Sequence, residues 1–149
     1  MRETVAAQMK DAMKAGDKVR VGALRLMMAA LKDREIEARG AGAALTPADE
    51  MALLAKMVKT RQESLAIYDE AGREDLASQE RAEIAVINEF LPKQLDEAAV
   101  KTAASAAIAD VGASGMKDMG KVIAALKAKY PGQMDFAKAS SIVKALLTG

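Results

Sequence analysis

Apolar residues recur three and four positions apart along almost the whole chain, and no segment alternates polar and apolar residues for long enough to indicate a strand. A helix brings residues with this spacing onto one face, so the pattern predicts an all-α fold. The ten methionines and many alanines are expected to fill the core. Both residue types suit helices that pack closely together.

Start and stop residues divide this pattern into separate helices. Gly16 is expected to end the first helix in the left-handed conformation, and Gly72 to end the third. Thr46 and Pro47 form the clearest helix start, with a capping hydroxyl followed by proline at the first helical position. Further helix starts are predicted at Asp17, Asp96 and Asp135, and the predicted inward-facing residues include Val5, Met9 and Met13 in the first helix and Ile142, Val143 and Leu146 in the last.

The character of the chain changes after the segment "LPKQL". Residues 1–95 predict a larger N-terminal helical domain, and residues 96–149 predict a small C-terminal lobe of three short helices. The lobe carries seven lysines against five acidic residues. This slight positive excess directs the search for a binding surface to the C-terminal lobe.

The absence of both cysteine and histidine excludes several kinds of site. Disulfides, thiolate nucleophiles and the commonest zinc sites require one of these residues, and histidine is the side chain that most easily transfers protons near neutral pH. With two tyrosines, two phenylalanines and no tryptophan, a base-stacking platform is not expected either. We therefore expect no cofactor, no metal and no catalytic residue.

Nothing in the sequence predicts a membrane protein. No stretch approaches the roughly 18 uninterrupted apolar residues of a membrane span, and "MRETVAAQMK" has charges where a signal peptide needs an apolar run. The net charge of +1 and the hydrophobic content of 51% are those of an ordinary soluble protein. The expected location is the cytoplasm, with no membrane partner.

The segment "GASGMKDMGKV" (112–122) has the ingredients of a phosphate-binding loop. Gly115 to Lys121 fits the spacing G-x-x-x-x-G-K of nucleotide-triphosphate loops. However, Val122 stands where that motif needs a hydroxyl for magnesium. Such a loop also follows a strand, whereas residues 97–111 predict a helix. Nucleotide hydrolysis is therefore not expected.

Two interpretations of this segment stay open. In the first it only joins two helices: Gly112 ends one, Ser114 caps the next, and Gly120 lies where another backbone passes close. In the second, free backbone amides at the start of the helix, with Lys117 and Lys121 one turn apart, receive a phosphate of a nucleic acid. The candidate nucleic-acid contacts are Ser114 and Gly115 through their amides, Gly120 through close approach, Lys117 and Lys121 through charge, and Lys127 and Lys138 as supporting charge.

Other charged groups are interpreted as structural. The acids of "RQESLAIYDEAGREDL" (61–76) lie across a helix end and a helix start, where the helix dipole favours acids at the N-terminus. Arg20 and Arg25 on the second helix are assigned to a solvent-exposed face.

The order of motifs resembles that of the GatB/YqeY family. The segments "AGDKVRVGALRLMMAALKDREIE", "RQESLAIYDEAGREDLASQERAEIAVINEFLPKQL" and "GASGMKDMGKVIAALK" follow one another, and the resemblance extends from about Lys14 to Leu147. In length the chain looks like the free-standing YqeY type. The resemblance implies an all-helical fold with a larger N-terminal part and a small three-helix C-terminal part.

The resemblance also implies a function. In that family a related segment forms the tail of the GatB subunit of the transfer-RNA-dependent amidotransferase, which amidates glutamate or aspartate on misacylated transfer RNA with glutamine as nitrogen donor. The tail helps to hold the outer corner of the transfer RNA, and catalysis lies elsewhere. By this resemblance the chain is expected to bind transfer RNA, or a protein that handles it, without catalysis of its own.

One position departs from the family pattern. Many relatives look like "GRADGK" near the last helix, whereas this chain has "GQMDFAKAS" (132–140), with Gln133 in place of the arginine. A phosphate contact from that arginine is missing here, while Lys138 keeps a charge. Two alternatives to RNA binding stay open. One is a helical adaptor for a protein partner, presenting the helix from Thr46 to Ala71 or the glycine-rich turn, and the other is an enzyme subunit that contributes to glutamine-dependent amide transfer only in an assembly.

Overall fold

The computed structural model describes residues 1–148, and all of the regular structure in that range is helical. This confirms the all-α prediction. The chain divides into two compact units, Met1–Leu91 and a second unit that begins at Pro92. The first unit contains α1 (Arg2–Ala15), α2 (Lys18–Gly40), α3 (Pro47–Glu70) and α4 (Glu74–Asn88), and the second contains α5 (Glu97–Val111), a 3-10 helix (Met116–Asp118), α6 (Met119–Lys129) and α7 (Phe136–Thr148).

The helix ends of the first unit confirm the capping predictions. Gly16 ends α1 with a φ of 70°, and the Asp17 carboxylate opens α2 by accepting the amide of Arg20 at 3.1 Å. At the start of α3 the Thr46 hydroxyl accepts the Asp49 amide at 3.1 Å, and the Asp49 carboxylate accepts the Thr46 amide at 3.0 Å. This reciprocal capping box satisfies donors that the helix would otherwise leave unpaired.

The core of the first unit is centred on α2. Leu24, Met27 and Leu31 of this helix are fully buried in one cluster with Leu54 of α3 and Ile87 of α4. Their spacing of three and four positions is the spacing that buries one side of a helix and leaves the other side in solvent. The first unit is therefore held together by one face of α2.

The second unit has a core of its own, made by α5, α6 and α7. Ala104, Val122 and Val143 are fully buried there, one from each helix. The small side chains of α5 let the other two helices approach it closely. The segment before α5 is also tied into this unit, since the Leu95 amide donates to the Gln133 carbonyl at 2.8 Å.

Two residues that the sequence predicts to face inward are exposed. Met13 is 55% exposed because the neighbouring position, Ala12, takes the buried place in the last turn of α1. Leu146 is 43% exposed because Leu147, which follows Val143 by one helical turn, packs against the core instead. In each helix the prediction was wrong by one position.

Candidate functional site

The glycine-rich segment of the second unit is a junction between two helices. Gly112 ends α5 in the left-handed conformation, with a φ of 66°, and Gly115 that follows is fully extended. The chain then makes the single 3-10 turn before α6 begins at Met119. The segment follows a helix and no strand, as the sequence predicts, which is the wrong context for a nucleotide-triphosphate loop.

Asp118 stabilises the turn that leads into α6. Its carboxylate reaches back and accepts the backbone amide of Ser114 at 3.0 Å. The Ser114 amide lowers the pKa of Asp118, and the charges of Lys121 and Lys117 and the Gly115 amide lower it further. The prediction of a free amide at Ser114 was wrong, because this amide is bound by Asp118, and the Ser114 side chain does not cap the helix.

Lys117 and Lys121 come together around the same carboxylate. Both side chains are exposed, and both are near enough to Asp118 to stabilise its negative charge. Four positions separate them, which places them about one helical turn apart. The structure therefore leaves two of the candidate phosphate contacts exposed at one turn, and the charges of both lower the pKa of Asp118.

The glycines of the segment face open space. A Cβ atom placed on Gly115 or Gly120 would meet no atom of the described chain within 4 Å. The prediction that another backbone of this chain passes close to Gly120 is therefore wrong. Gly120 lies in the first turn of α6 and is exposed, so that only a molecule outside the chain could make such an approach.

Lys127 and Lys138 do not share this cluster. The Lys127 ammonium lies 5.9 Å from the centre of the Phe136 ring, a distance that suits a cation–π contact. Along α6, Lys127 is about 9 Å beyond Lys121 and about 120° around the helix from it. Lys138 is exposed on α7, two positions after Phe136. Lys121 and Lys127 thus lie on different sides of α6.

Gln133, the position that departs from the family pattern, has a structural backbone role. Its carbonyl accepts the Leu95 amide, and its own amide donates to the Tyr130 carbonyl at 3.2 Å. Asp135 caps α7 as predicted, since its carboxylate accepts the Ala137 amide at 2.9 Å. The turn between α6 and α7 is therefore ordered by main-chain bonds that do not depend on the side chain of Gln133.

In the first unit, Arg20 and Arg25 lie in different environments, although the sequence assigned both to a solvent-exposed face. Arg25 is exposed, but Arg20 is partly buried and its Nη1 lies 2.6 Å from Glu89 Oε2. The hydrogen bond to Glu89 raises the pKa of Arg20 above its usual value. The assignment of Arg20 to a solvated face was wrong, because this side chain links α2 to the residue that follows α4.

A partly buried group of charges between α3 and α4 was missed by the sequence interpretation. Arg61 Nε lies 3.0 Å from Glu83 Oε2, and both side chains are largely buried. Glu80 Oε2 is buried with no hydrogen-bond partner in the described chain. Burial raises the pKa of Glu80, and the neighbouring Glu83 raises it further. Glu80 and Glu83 lie on the same side of α4 as Ile84 and Ile87, because the four positions are three or four residues apart. This spacing is the sequence signal for a buried position.

The first unit also contains a cavity of about 770 Å³ beside the start of α1 and the second half of α2. Arg2 and Arg39 on its wall both pair with Glu35, and for Arg39 the distance is 3.2 Å. The Nε atom of Arg2 is buried without a partner among the described residues. Because the charges on the wall neutralise each other, the cavity favours no ligand of a single charge.

Comparison with known proteins identifies relatives. A family model described as "Yqey-like protein" matches residues 2–147. The chain is also similar to a protein of Vanderwaltozyma polyspora named "Altered inheritance of mitochondria protein 41, mitochondrial", with 33% identity over 86 residues. That match covers 56% of this chain and 44% of the relative. Among the described helices, none is both long and apolar enough to cross a membrane.

Proposed function

We propose, since the chain belongs to the Yqey-like protein family, that it is a non-catalytic helical protein that binds transfer RNA. The contact surface in this proposal is the C-terminal three-helix lobe, residues 96–149, whose helices α5, α6 and α7 belong to the second unit. The observation that carries the proposal is the placement of Lys117 and Lys121, both exposed and about one helical turn apart, at the glycine-rich junction that leads into α6.

This cluster supports phosphate binding because it already holds an anion. The Ser114 amide donates to the Asp118 carboxylate, and the charges of Lys117 and Lys121 stabilise it; amides and ammonium groups are also the groups that bind phosphate oxygens. An RNA phosphate would contact the outer sides of Lys117 and Lys121. The extended backbone at Gly115 and the open space around Gly120 leave room for a sugar–phosphate chain beside them.

The net charge limits how strongly RNA can be held. The whole chain carries +1, so non-specific attraction is weak and specificity has to come from shape. Lys127 and Lys138, which lie away from the Lys117 cluster, would contact a second part of a large, folded RNA. Transfer RNA has the size and the fixed shape that such a split contact needs.

The experiment is a binding titration of transfer RNA at several salt concentrations. Each phosphate contact adds about 0.7 to 0.9 to the slope of the logarithm of the association constant against the logarithm of salt concentration. The double variant Lys117→Glu/Lys121→Glu should lower the slope by about 1.4 to 1.8. Lys10→Glu/Lys14→Glu is the matched control, since these lysines are exposed, four positions apart and on α1. Equal slopes for the two double variants would remove Lys117 and Lys121 from the site.

A protein adaptor without RNA contact is the second candidate, favoured by one observation. Met116 and Leu146 of the second unit are each 43% exposed, although both are large and apolar. An adaptor would bind its partner through such residues and show no salt-dependent affinity for transfer RNA. The titration above separates the two candidates.

Amide transfer by the isolated chain is not part of the proposal. The family label of carbon–nitrogen ligase with glutamine as amido-N-donor is taken to describe an assembly in which other chains do the chemistry. The test is to incubate the purified protein with glutamine and measure free glutamate. Release of glutamate above the rate without protein would overturn the non-catalytic assignment.

A further inference from the structure

We propose that the exposed side of α2 is a docking surface for an acidic amphipathic helix of another protein. α2 buries Leu24, Met27 and Leu31 in the first unit and turns its opposite side to solvent. We call that side the outer face of α2. It consists of an apolar ridge, a basic row and two small residues between them, and each of these parts favours a helix as the ligand.

The apolar ridge is formed by Val19 and Leu26. Their side chains are 54% and 45% exposed, although both are aliphatic. They are seven positions apart, so they lie within about 20° of each other on the helix surface. Single exposed apolar residues are common on proteins, but an aligned pair on one face offers a partner a continuous apolar contact.

The basic row is formed by Lys18, Arg25 and Lys32. These three are also seven positions apart, which gives steps of about 10.5 Å along the helix. All three are exposed, and none makes an ion pair or a hydrogen bond through its side chain within residues 1–148. Farther along α2 the arginines are paired instead: Arg34 with Glu37 and Arg39 with Glu35. The row is therefore available for charges on a partner.

Gly22 and Ala29 lie between the ridge and the row, again seven positions apart. A Cβ atom on Gly22 would meet nothing within 4 Å. The two small residues therefore leave a shallow trough along the outer face. The backbone of a partner helix could approach closely there, as it does wherever glycine and alanine line a helix contact.

The seven-residue spacing within the basic row, and between the two members of the ridge and of the trough, favours a helix as the ligand. Two helices stay in contact along their length when the contacting positions repeat every 3.5 residues on average. The ligand should carry apolar residues for the trough and the ridge, and acidic residues at seven-residue spacing for the basic row. The exposed apolar ridge of Val19 and Leu26 beside the basic row favours a protein helix over RNA as the ligand.

A second copy of this chain does not fit the outer face. A twofold antiparallel pairing of α2 with itself would set the basic row opposite the basic row of the other copy. In a parallel pairing, Lys18 and Arg25 would lie opposite Ala23, which is buried, and Ala30. Only Lys32 would lie opposite an acid, Glu37, which already pairs with Arg34. The charge pattern therefore favours a different, acidic partner.

The test uses the full chain and two synthetic helices of about four heptads each. One peptide carries a leucine stripe with glutamates at seven-residue spacing, and the other carries lysines in place of those glutamates. We expect the natural protein to bind the acidic peptide more tightly than the basic one. Arg25→Glu/Lys32→Glu should weaken binding of the acidic peptide at least about tenfold and reverse the preference.

A second variant, Gly22→Leu, tests the trough without changing charge. Because leucine is a better helix former than glycine and meets open space here, the thermal midpoint should not fall. Binding of the acidic peptide should nevertheless weaken about tenfold, because the side chain fills the trough. Lys10→Glu/Lys14→Glu on α1 is the charge-matched control and should bind like the natural protein.

Three results would overturn the proposal: failure of the natural protein to bind the acidic peptide, equal binding of both peptides, or binding that Gly22→Leu and Arg25→Glu/Lys32→Glu leave unchanged. Transfer RNA or phosphatidylglycerol vesicles that bind the natural chain and are lost in Arg25→Glu/Lys32→Glu, without peptide binding, would assign the basic row to another ligand. None of these results bears on Lys117 and Lys121.

Discussion

The backbone amide of Ser114 donates a hydrogen bond to the carboxylate of Asp118 at 3.0 Å, and this contact fixes the turn that leads into α6. The acceptor is an anion that belongs to the chain. An incoming phosphate therefore meets a cluster whose two lysines are already partly neutralised by Asp118. Asp118 orders the turn and at the same time competes with any external anion for the same donors.

Asp118→Ala should strengthen the binding of transfer RNA. The substitution removes a negative charge beside Lys117 and Lys121 and frees the Ser114 amide, so we expect affinity to rise by a factor of about 3 to 10 at low salt. Asp110→Ala is the control, because Asp110 is exposed on α5 of the same unit. Unchanged or weaker affinity in a folded Asp118→Ala protein, with Asp110→Ala as reference, would contradict a phosphate site at this turn.

Thr46→Ala should destabilise the first unit by about 1 kcal/mol, the usual cost of losing a helix cap. Its hydroxyl accepts the Asp49 amide, and its amide is the first cause of the lowered pKa of Asp49. A lowered pKa means that the contribution of Asp49 is complete above its ordinary value of 3.8 and is lost as pH falls below it. Urea unfolding at pH 7 should show the difference between the two proteins. Because alanine keeps the amide that binds Asp49, both proteins should lose the contribution of Asp49 between pH 7 and pH 3. If Thr46→Ala unfolded at the same urea concentration as the natural protein at pH 7, the cap would carry no stability.

Glu80→Gln should stabilise the protein at neutral pH by about 1 kcal/mol, because it removes a charge from a buried oxygen that has no partner. Since burial raises the pKa of Glu80, the native state holds the proton more tightly than the unfolded state does. The free energy of unfolding of the natural protein therefore falls as pH rises through the pKa of Glu80. The stability advantage of Glu80→Gln should vanish at lower pH. Urea titrations at pH 7 and pH 4 measure both effects.

Glu63→Gln provides the reference for Glu80→Gln, since Glu63 is exposed on α3. It should leave the free energy of unfolding within about 0.5 kcal/mol at both pH values. A destabilised Glu80→Gln protein would show that the Glu80 carboxylate has a favourable partner and would refute the buried-charge interpretation.

Two leucines of α2 should differ sharply when each is shortened. Leu24 is fully buried, and Leu24→Ala should cost about 2 to 5 kcal/mol of unfolding free energy. Leu26, two positions later, is 45% exposed, and Leu26→Ala should change stability by less than about 0.5 kcal/mol. Thermal or urea unfolding of the pair checks which side of α2 faces the core. Equal losses from both variants would contradict the outer face of α2 as described.

Features set by neighbouring residues could be predicted from the sequence. Gly16, Asp17 and the pair Thr46–Pro47 act within one helical turn, so their cap and stop roles follow from residue type alone. The bond between Ser114 and Asp118 could not be predicted by the same rule. The usual capping box spans three positions, whereas the 3-10 turn inserted here brings residues four apart together.

Features set by packing between helices could not be predicted. The predictions that Met13 and Leu146 face inward were wrong because the line of contact between packed helices runs one position away from the expected one. Such a shift exchanges a buried residue with its exposed neighbour. Arg20 and Arg25 look alike in the sequence, yet only Arg20 meets an acid, Glu89, from a distant part of the chain.

The hydrogen bond between the Leu95 amide and the Gln133 carbonyl is a clasp in the second unit: it joins the segment that precedes α5 to the turn between α6 and α7. Leu95 also packs its side chain on the core of that unit. A truncated gene product starting at Asp96 would therefore lack both the clasp and part of its hydrophobic cover, whereas one starting at Pro92 would keep them. The first residue of such a fragment therefore decides whether the second unit folds by itself.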